Sequence, residues 1–243
     1  MRLTTLPREM LDRRSFSVFD DFLWYISPHL WTNLASDGGV TAFAQSDAVT
    51  GIIQGATGAT DNNEIAVRST NECWLFAADR PLYGCCLLQY SEANTDDANV
   101  AFGFADAMGV NLLGDDGAGD AINSSGVLIF KVDGETVWRC ACENNGTVVE
   151  TQSTKTAGGS AYQLLEIEGA SVDGTNYSFT YYMDGVELRD TNNRPIVHTL
   201  AYASATEMRV GTYVKAGSAN SETVNVDFMG ASMLRQRGAS AIL

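Results

Sequence analysis

Apolar positions along the chain fall in short runs and alternating stretches, broken by turn residues roughly every eight to twelve positions, the spacing of a β-sandwich. Trp74-Leu75-Phe76 is a short apolar run, Leu82 to Tyr90 a longer one, and Val100, Phe102 and Phe104 alternate with small residues. These three predict an antiparallel meander at the centre of the fold. Ile65 and Val67 alternate with Glu64, Ala66 and Arg68, a strand with Ile65 and Val67 inward. Residues 126–133 and 135–142 form a hairpin around Asp133-Gly134, and residues 177–190 another around Asp184-Gly185. Asn144-Asn145-Gly146 turns the chain into Thr147-Val148-Val149, and residues 151–160 read as a polar loop. Residues 161–168 alternate, with Tyr162, Leu164, Glu166 and Glu168 on one face. The last strands are Ile196 to Tyr202, Glu207 to Val214 and Glu222 to Leu234.

On the order of fourteen strand candidates require two packed sheets rather than one. No long amphipathic helix follows residue 16. The expected fold is therefore all-β, a jelly-roll β-sandwich of two antiparallel sheets spanning residues 17–243, with a short N-terminal arm, residues 1–16, ahead of it. In the arm Leu3, Leu6, Met10 and Leu11 have loose helical spacing that Pro7 interrupts, which leaves a helical turn and an extended arm equally open.

The 243 residues, 45% hydrophobic, suffice for a sizeable core. Charge changes the picture more than composition does. The net charge is −15, yet the first fourteen residues carry four arginines against Glu9 and Asp12, and Arg235 and Arg237 stand alone in the tail. The acidic body argues against nucleic acid and anionic membrane as partners, while the basic ends suit an acidic protein surface. No stretch has the apolar core of a secretory signal or the length of a membrane span. Five cysteines, an odd number, are expected as free thiols from a reducing cytoplasm rather than a disulfide framework.

Four segments carry a family likeness: WLFAADRPLY (74–83), TDDANVAFGFADA (95–107) followed by Asp115-Asp116-Gly117, and GVLIFKVDGETVW (126–138). Over roughly residues 20–230 the chain resembles a family of tailed-phage virion proteins common in marine and cyanobacterial viruses. The resemblance implies a concanavalin-like jelly roll acting as a capsid decoration (cement) protein. It would sit on the outer capsid surface of the virion after synthesis in the host cytoplasm. It would bind the major capsid protein, as a homotrimer, without enzyme activity or cofactor. The contact residues would be those of the arm: Arg2, Leu3, Leu6, Met10, Leu11, Arg13 and Arg14. The alternative is a carbohydrate-binding, lectin-like module of a tail or capsid fibre.

Chemistry-bearing residues are sparse. Asp96, Asp97 and Asn99 in one loop, and Asp115, Asp116 and Asp120 in another, offer oxygen ligands of the kind Ca²⁺ takes. Their spacing also suits ordinary turns, and no metal is expected. Glu166 and Glu168 share a strand face, but the hydrolase pattern E-x-D-x-x-E of concanavalin-like glycosidases is absent, which leaves a solvated face. Cys140 and Cys142 share a face, Cys85 and Cys86 do not, and His29 and His198 lie far from them in sequence, so buried thiols are expected rather than zinc. The sequons at Asn123, Asn145 and Asn176 read as chance matches. Trp24, Trp31, Trp74 and Trp138 are expected in the core, whereas Tyr162, Tyr181, Tyr182 and Tyr202 could line an interface or a sugar groove.

Overall fold

The computed structural model describes residues 15–35, 40–46, 51–78, 80–92, 94, 96–114, 122, 124–158, 161–202 and 206–234. The predicted contacts Arg2, Leu3, Leu6, Met10, Leu11, Arg13 and Arg14 lie outside them, as do Asp115, Asp116, Asp120 and Asn123. Strands are numbered in chain order. One sheet holds β1 (Ser15–Asp20), β3 (Thr41–Gln45), β4 (Ile53–Ala56), β6 (Leu82–Ser91), β11 (Gln163–Ser171), β12 (Asn176–Met183), β13 (Val186–Glu187), β14 (Val197–Ala201) and β16 (Thr223–Leu234). The other holds β2 (Trp31–Ala35), β5 (Glu64–Ser69), β7 (Ala98–Ala105), β8 (Gly126–Lys131), β9 (Val137–Asn144), β10 (Thr147–Thr156) and β15 (Arg209–Ala216).

The first sheet runs β13-β12-β11-β6-β16-β4-β3, with β1 on β16 and β14 on β12. The second runs β10-β9-β8-β7-β15-β5-β2, and the ladders of both are antiparallel. The two sheets pack face to face, as expected of an all-β jelly roll. Period-two alternation decides what enters the core. Leu82, Cys86, Leu88 and Tyr90 from β6 meet Val100, Phe102 and Phe104 from β7 in one buried cluster. The hairpin signals are realised in the backbone: Asn145-Gly146 and Asp184-Gly185 both have positive φ at the two turn positions.

The central meander does not form. β6 and β7 lie in opposite sheets, and the segment between them crosses the end of the sandwich. Each strand gains two partners this way, β11 and β16 for β6, β8 and β15 for β7. Trp74 makes only an isolated bridge to Met208. Its indole fills the core instead, stacked on Phe16 with ring centroids 4.6 Å apart. The predicted polar loop 151–160 is strand as far as Thr156, because β10 is an outermost strand and can keep a wet, polar face. β1 begins at Ser15, inside the segment read as arm.

β7 is buried on both faces. One face meets the core. The other meets a strap, residues 106–114 with Ile122, that closes on itself through the Leu113–Ile122 bridge. Met108, Leu112, Leu113 and Ile122 form a second apolar layer against Ala66, Ala101, Ala105, Leu128, Phe130 and Tyr213. The small residues alternating with Val100, Phe102 and Phe104 make room for it. At Gly211 a Cβ would stand 2.9 Å from Met108 Cγ and 2.6 Å from the Val67 carbonyl oxygen.

Polar groups lock the strap down. Arg68 donates from Nη1 to the Met108 carbonyl (2.5 Å), and Lys215 donates from Nζ to the Gly114 carbonyl (3.0 Å). Glu64 accepts from the Asn111 backbone N–H (2.5 Å) and from the Tyr213 hydroxyl (3.0 Å). The strap is therefore core rather than surface loop. Leu113→Ala is expected to lower unfolding free energy by about 2–5 kcal/mol, against about 0.5 kcal/mol or less for an ordinary surface position. Urea denaturation monitored by fluorescence distinguishes the two.

Candidate functional site

The Asp-rich crossing between β6 and β7 is organised by a lysine. Lys131, at the end of β8, donates to the Asp96 carbonyl (2.9 Å), the Ala98 carbonyl (2.8 Å) and the Glu92 carboxylate (2.6 Å). Asp96 sits at φ 67°, and the Gly134 N–H also donates to its carbonyl (2.9 Å). Asp97 accepts from the Ser218 hydroxyl (2.7 Å), and Asn99 Oδ1 accepts from the Asp133 N–H (2.9 Å). One ammonium thus ties the Glu92 carboxylate to two backbone carbonyls of the loop, and among the described residues no cluster of three metal-ligating side chains forms.

Glu166 and Glu168 share the outer face of the nine-stranded sheet. They are not equally solvated. Glu166 is buried, accepting from the Tyr83 hydroxyl (2.7 Å) and the Gly185 N–H (3.1 Å), while Glu168 is exposed and accepts from the Tyr182 hydroxyl (3.2 Å). A second pair, Glu135 and Glu150, is bridged by Arg139, which holds the Glu135 carboxyl below its usual range by direct hydrogen bonding. These pairs are occupied by structural partners.

Cys85, Cys86, Cys140 and Cys142 are buried, and burial raises their thiols, to about 12 for Cys85 and Cys142. Thiols so raised are neither nucleophiles nor metal ligands at neutral pH. Cys73 is exposed. His198 lies in the core between the sheets, with Nδ1 3.0 Å from the Tyr181 hydroxyl and Nε2 2.9 Å from the Thr151 hydroxyl. His29 is in an exposed loop, so the two imidazoles do not meet. Trp31, Trp74 and Trp138 are buried as expected. Trp24 is not: it is 86% exposed, in a loop that crosses the end of the sheets instead of continuing as a strand.

The motif reading passed over a cleft among the described residues. An open cleft of about 480 Å³ lies between the segment entering β6 and the β11–β12 turn. Ala78, Arg80 and Pro81 form one wall, and Ala170, Ser171, Val172, Asp173 and Gly174 the other. The turn is built by its aspartate. Asp173 Oδ1 accepts from the N–H groups of Thr175 and Asn176 (both 2.7 Å), and Oδ2 accepts from Asn176 Nδ2 (2.9 Å). These bonds, the Asn176 side chain foremost, hold the carboxyl below its usual range. Two tyrosines buttress the walls: Tyr177 donates to the Arg80 carbonyl (2.6 Å), and Tyr202 donates to the Asp173 carbonyl (3.2 Å). Of the four tyrosines proposed to line a face, Tyr202 alone reaches this cleft's framework, and Tyr181 is buried in the core. The sequence signals were the Asp173-Gly174 turn and the Arg80-Pro81 break.

No family model matches the sequence, and no curated protein does. Solved structures do match in fold. The carbohydrate recognition domain of Emp47p superposes with a TM-score of 0.55 at 12% identity, covering 88% of this chain and 93% of that one. Peanut lectin gives 0.55 at 11%, covering 92% and 99%. An endo-1,3-beta-glucanase from Streptomyces sioyaensis gives 0.58 at 14%, covering 93% and 98%. The fold is a concanavalin-like β-sandwich. At such identities the likeness extends to the fold alone, and the neighbours comprise both carbohydrate-binding domains and a glucanase.

Two outcomes follow from the buried groups. Burial depresses His198 from 6.5 to about 4, so the unfolded chain takes up that proton more readily. The stabilisation is complete above about pH 6.5 and is lost as pH falls towards 4, about 3 kcal/mol in all. His198→Gln should flatten that stretch of a urea-midpoint series against pH. Among the cysteines, Ellman's reagent should reach exposed Cys73 in the native protein, slowly because partial burial and the Glu207 charge raise its thiol, and the other four only after denaturation.

Proposed function

We propose that the chain is a non-catalytic, lectin-like carbohydrate-binding module and that the Arg80–Asp173 cleft is its site. The observation carrying this reading is the lining. Arg80, Asp173 and Ser171 supply a donor fork, an anionic acceptor and a hydroxyl, and Pro81, Val172 and Ala78 supply apolar surface. A sugar presents those two chemistries together, hydroxyls at its rim and C–H groups on its faces. Val172, 62% exposed, is an apolar side chain held in solvent beside polar partners. The volume of about 480 Å³ falls within the roughly 300–1,000 Å³ of small-ligand sites.

The described carboxylates support binding over hydrolysis. Glycoside cleavage needs two, either about 5–5.5 Å or about 6.5–9.5 Å apart across the bond. Among the described lining residues the carboxylate is Asp173 alone. Glu166 and Glu168 stand on the outer sheet face, each already accepting a tyrosine hydroxyl.

A second reading is the virion one: a homotrimeric protein bound to the major capsid protein on the capsid surface. The observation in its favour is the exposed apolar loop around Trp24, which calls for a covering partner. Locating the protein on or off intact particles separates the readings.

The cleft reading is tested by a glycan array followed by titration calorimetry on the best binder. Arg80→Gln should weaken binding about tenfold or more, the loss of one charge-assisted hydrogen bond of about 1.5–3 kcal/mol. Val172→Asp should abolish it with the fold intact by circular dichroism. Silence across the array, or unchanged affinity in both variants, rejects the site.

A further inference from the structure

Three polar side chains stand in a row across the strap-covered face of the seven-stranded sheet. Lys215 on β15 pairs directly with Asn99 on β7 on one side and with Glu64 on β5 on the other. All three point to the strap, since Ile65, Val100 and Val214 beside them enter the core between the sheets. All three are buried. Glu64 Oε1 lies 3.4 Å from Lys215 Nζ and also accepts from the Tyr213 hydroxyl (3.0 Å). The two ends of the Asn99 amide are treated differently. Oδ1 accepts from the Asp133 N–H (2.9 Å), whereas Nδ2 is buried and has no hydrogen-bond partner among the described residues. An amine, a carboxylate within reach of its proton and a polarised amide thus occupy neighbouring positions on three adjacent strands.

We infer that Lys215 and Asn99 join in an isopeptide bond that the folded chain forms on itself, with Glu64 as the proton carrier. The ion pair is the reactant state. Glu64 takes one proton from the ammonium. The amine attacks Asn99 Cγ, a C–N bond forms, and the carbonyl electron pair moves to Oδ1, where the Asp133 N–H stabilises it. The attacking nitrogen gives up a proton while Nδ2 gains one, the Cγ–Nδ2 bond breaks, and ammonia departs with the Glu64 proton as ammonium. One amide replaces another, so no co-reactant is consumed. The expelled atom is the one the fold leaves unsatisfied, and a buried amide in that condition calls for a reason. Register supplies the reach. Directly opposed Cβ atoms stand about 4.5–5.5 Å apart, a gap that the flexible four-carbon stem of a lysine spans. Leu113 and Val132 belong to the apolar layer on this face, which keeps water from competing for the carbonyl. Lys131, also buried, stands opposite Val100, which offers no amide. The inference is independent of the Arg80–Asp173 cleft.

Peptide mapping by mass spectrometry tests it, on full-length protein shown to be folded by circular dichroism and then denatured for digestion. Trypsin should release the Asn99 and Lys215 peptides as one linked species, lighter than their sum by one ammonia and uncut after Lys215. Glu64→Gln should leave the two peptides unlinked. Asn99→Asp should still link, now with loss of water, which separates the cross-link from cyclisation of Asn99 onto its own backbone. Separate Asn99 and Lys215 peptides of full mass from the folded wild-type chain overturn the inference, whatever the variants do. Undiminished linkage in Glu64→Gln overturns the role of Glu64.

Discussion

Glu64 and Lys215 sit directly opposite each other on β5 and β15, their charged atoms 3.4 Å apart and both side chains withdrawn from water. Two charges in that position are tolerable only if nearly every remaining donor and acceptor is used. The surrounding groups meet that demand. Tyr213 and the Asn111 N–H complete the carboxylate, and strap carbonyls complete the ammonium. The pair therefore requires the strap, and the strap requires the pair. Met108, Leu112, Leu113 and Ile122 then add apolar burial to what the charges position.

The consequence for function is exclusion. With the strap seated, the outer face of the seven-stranded sheet at β5, β7 and β15 is interior, and it has no room for a ligand. The opposite sheet gives up its carboxylates to tyrosine hydroxyls. Among the described residues two clefts remain, one lined by Glu135, Val137, Gln152 and Thr154 and one where the Asp173 turn meets the Arg80-Pro81 segment, and the 21–30 loop separately presents Trp24. The Asp173 turn and the 21–30 loop are scaffolded by hydrogen bonds made before any ligand arrives, so neither has to order itself on binding.

Much of the fold was legible. Alternation named the core faces of β5, β7 and β11 because a strand has a period of two wherever it lies. Asn145-Gly146 and Asp184-Gly185 named their hairpins because the turn itself demands positive φ. The candidate site was barely legible. Arg80 and Asp173 are 93 positions apart, and each has a sufficient local explanation, as a strand break and as a turn. Nothing local brings them together; the pairing of β6 with β11 does. Trp24 was misread because an apolar run has no mark to say which side faces out.

The sequence by itself determined most of the strands and hairpins, the core faces of β5 and β7 and the presence of two sheets, since these follow from φ preference and periodicity within a few residues. Only the tertiary structure decided that β6 and β7 part company into different sheets. It alone decided that Lys131 ties the Asp96 and Ala98 carbonyls to the Glu92 carboxylate, and that Glu64 is interior while Trp24 is not. Each of these is set by what a distant strand or strap brings to the same point, and burial is a property of that meeting rather than of the residue.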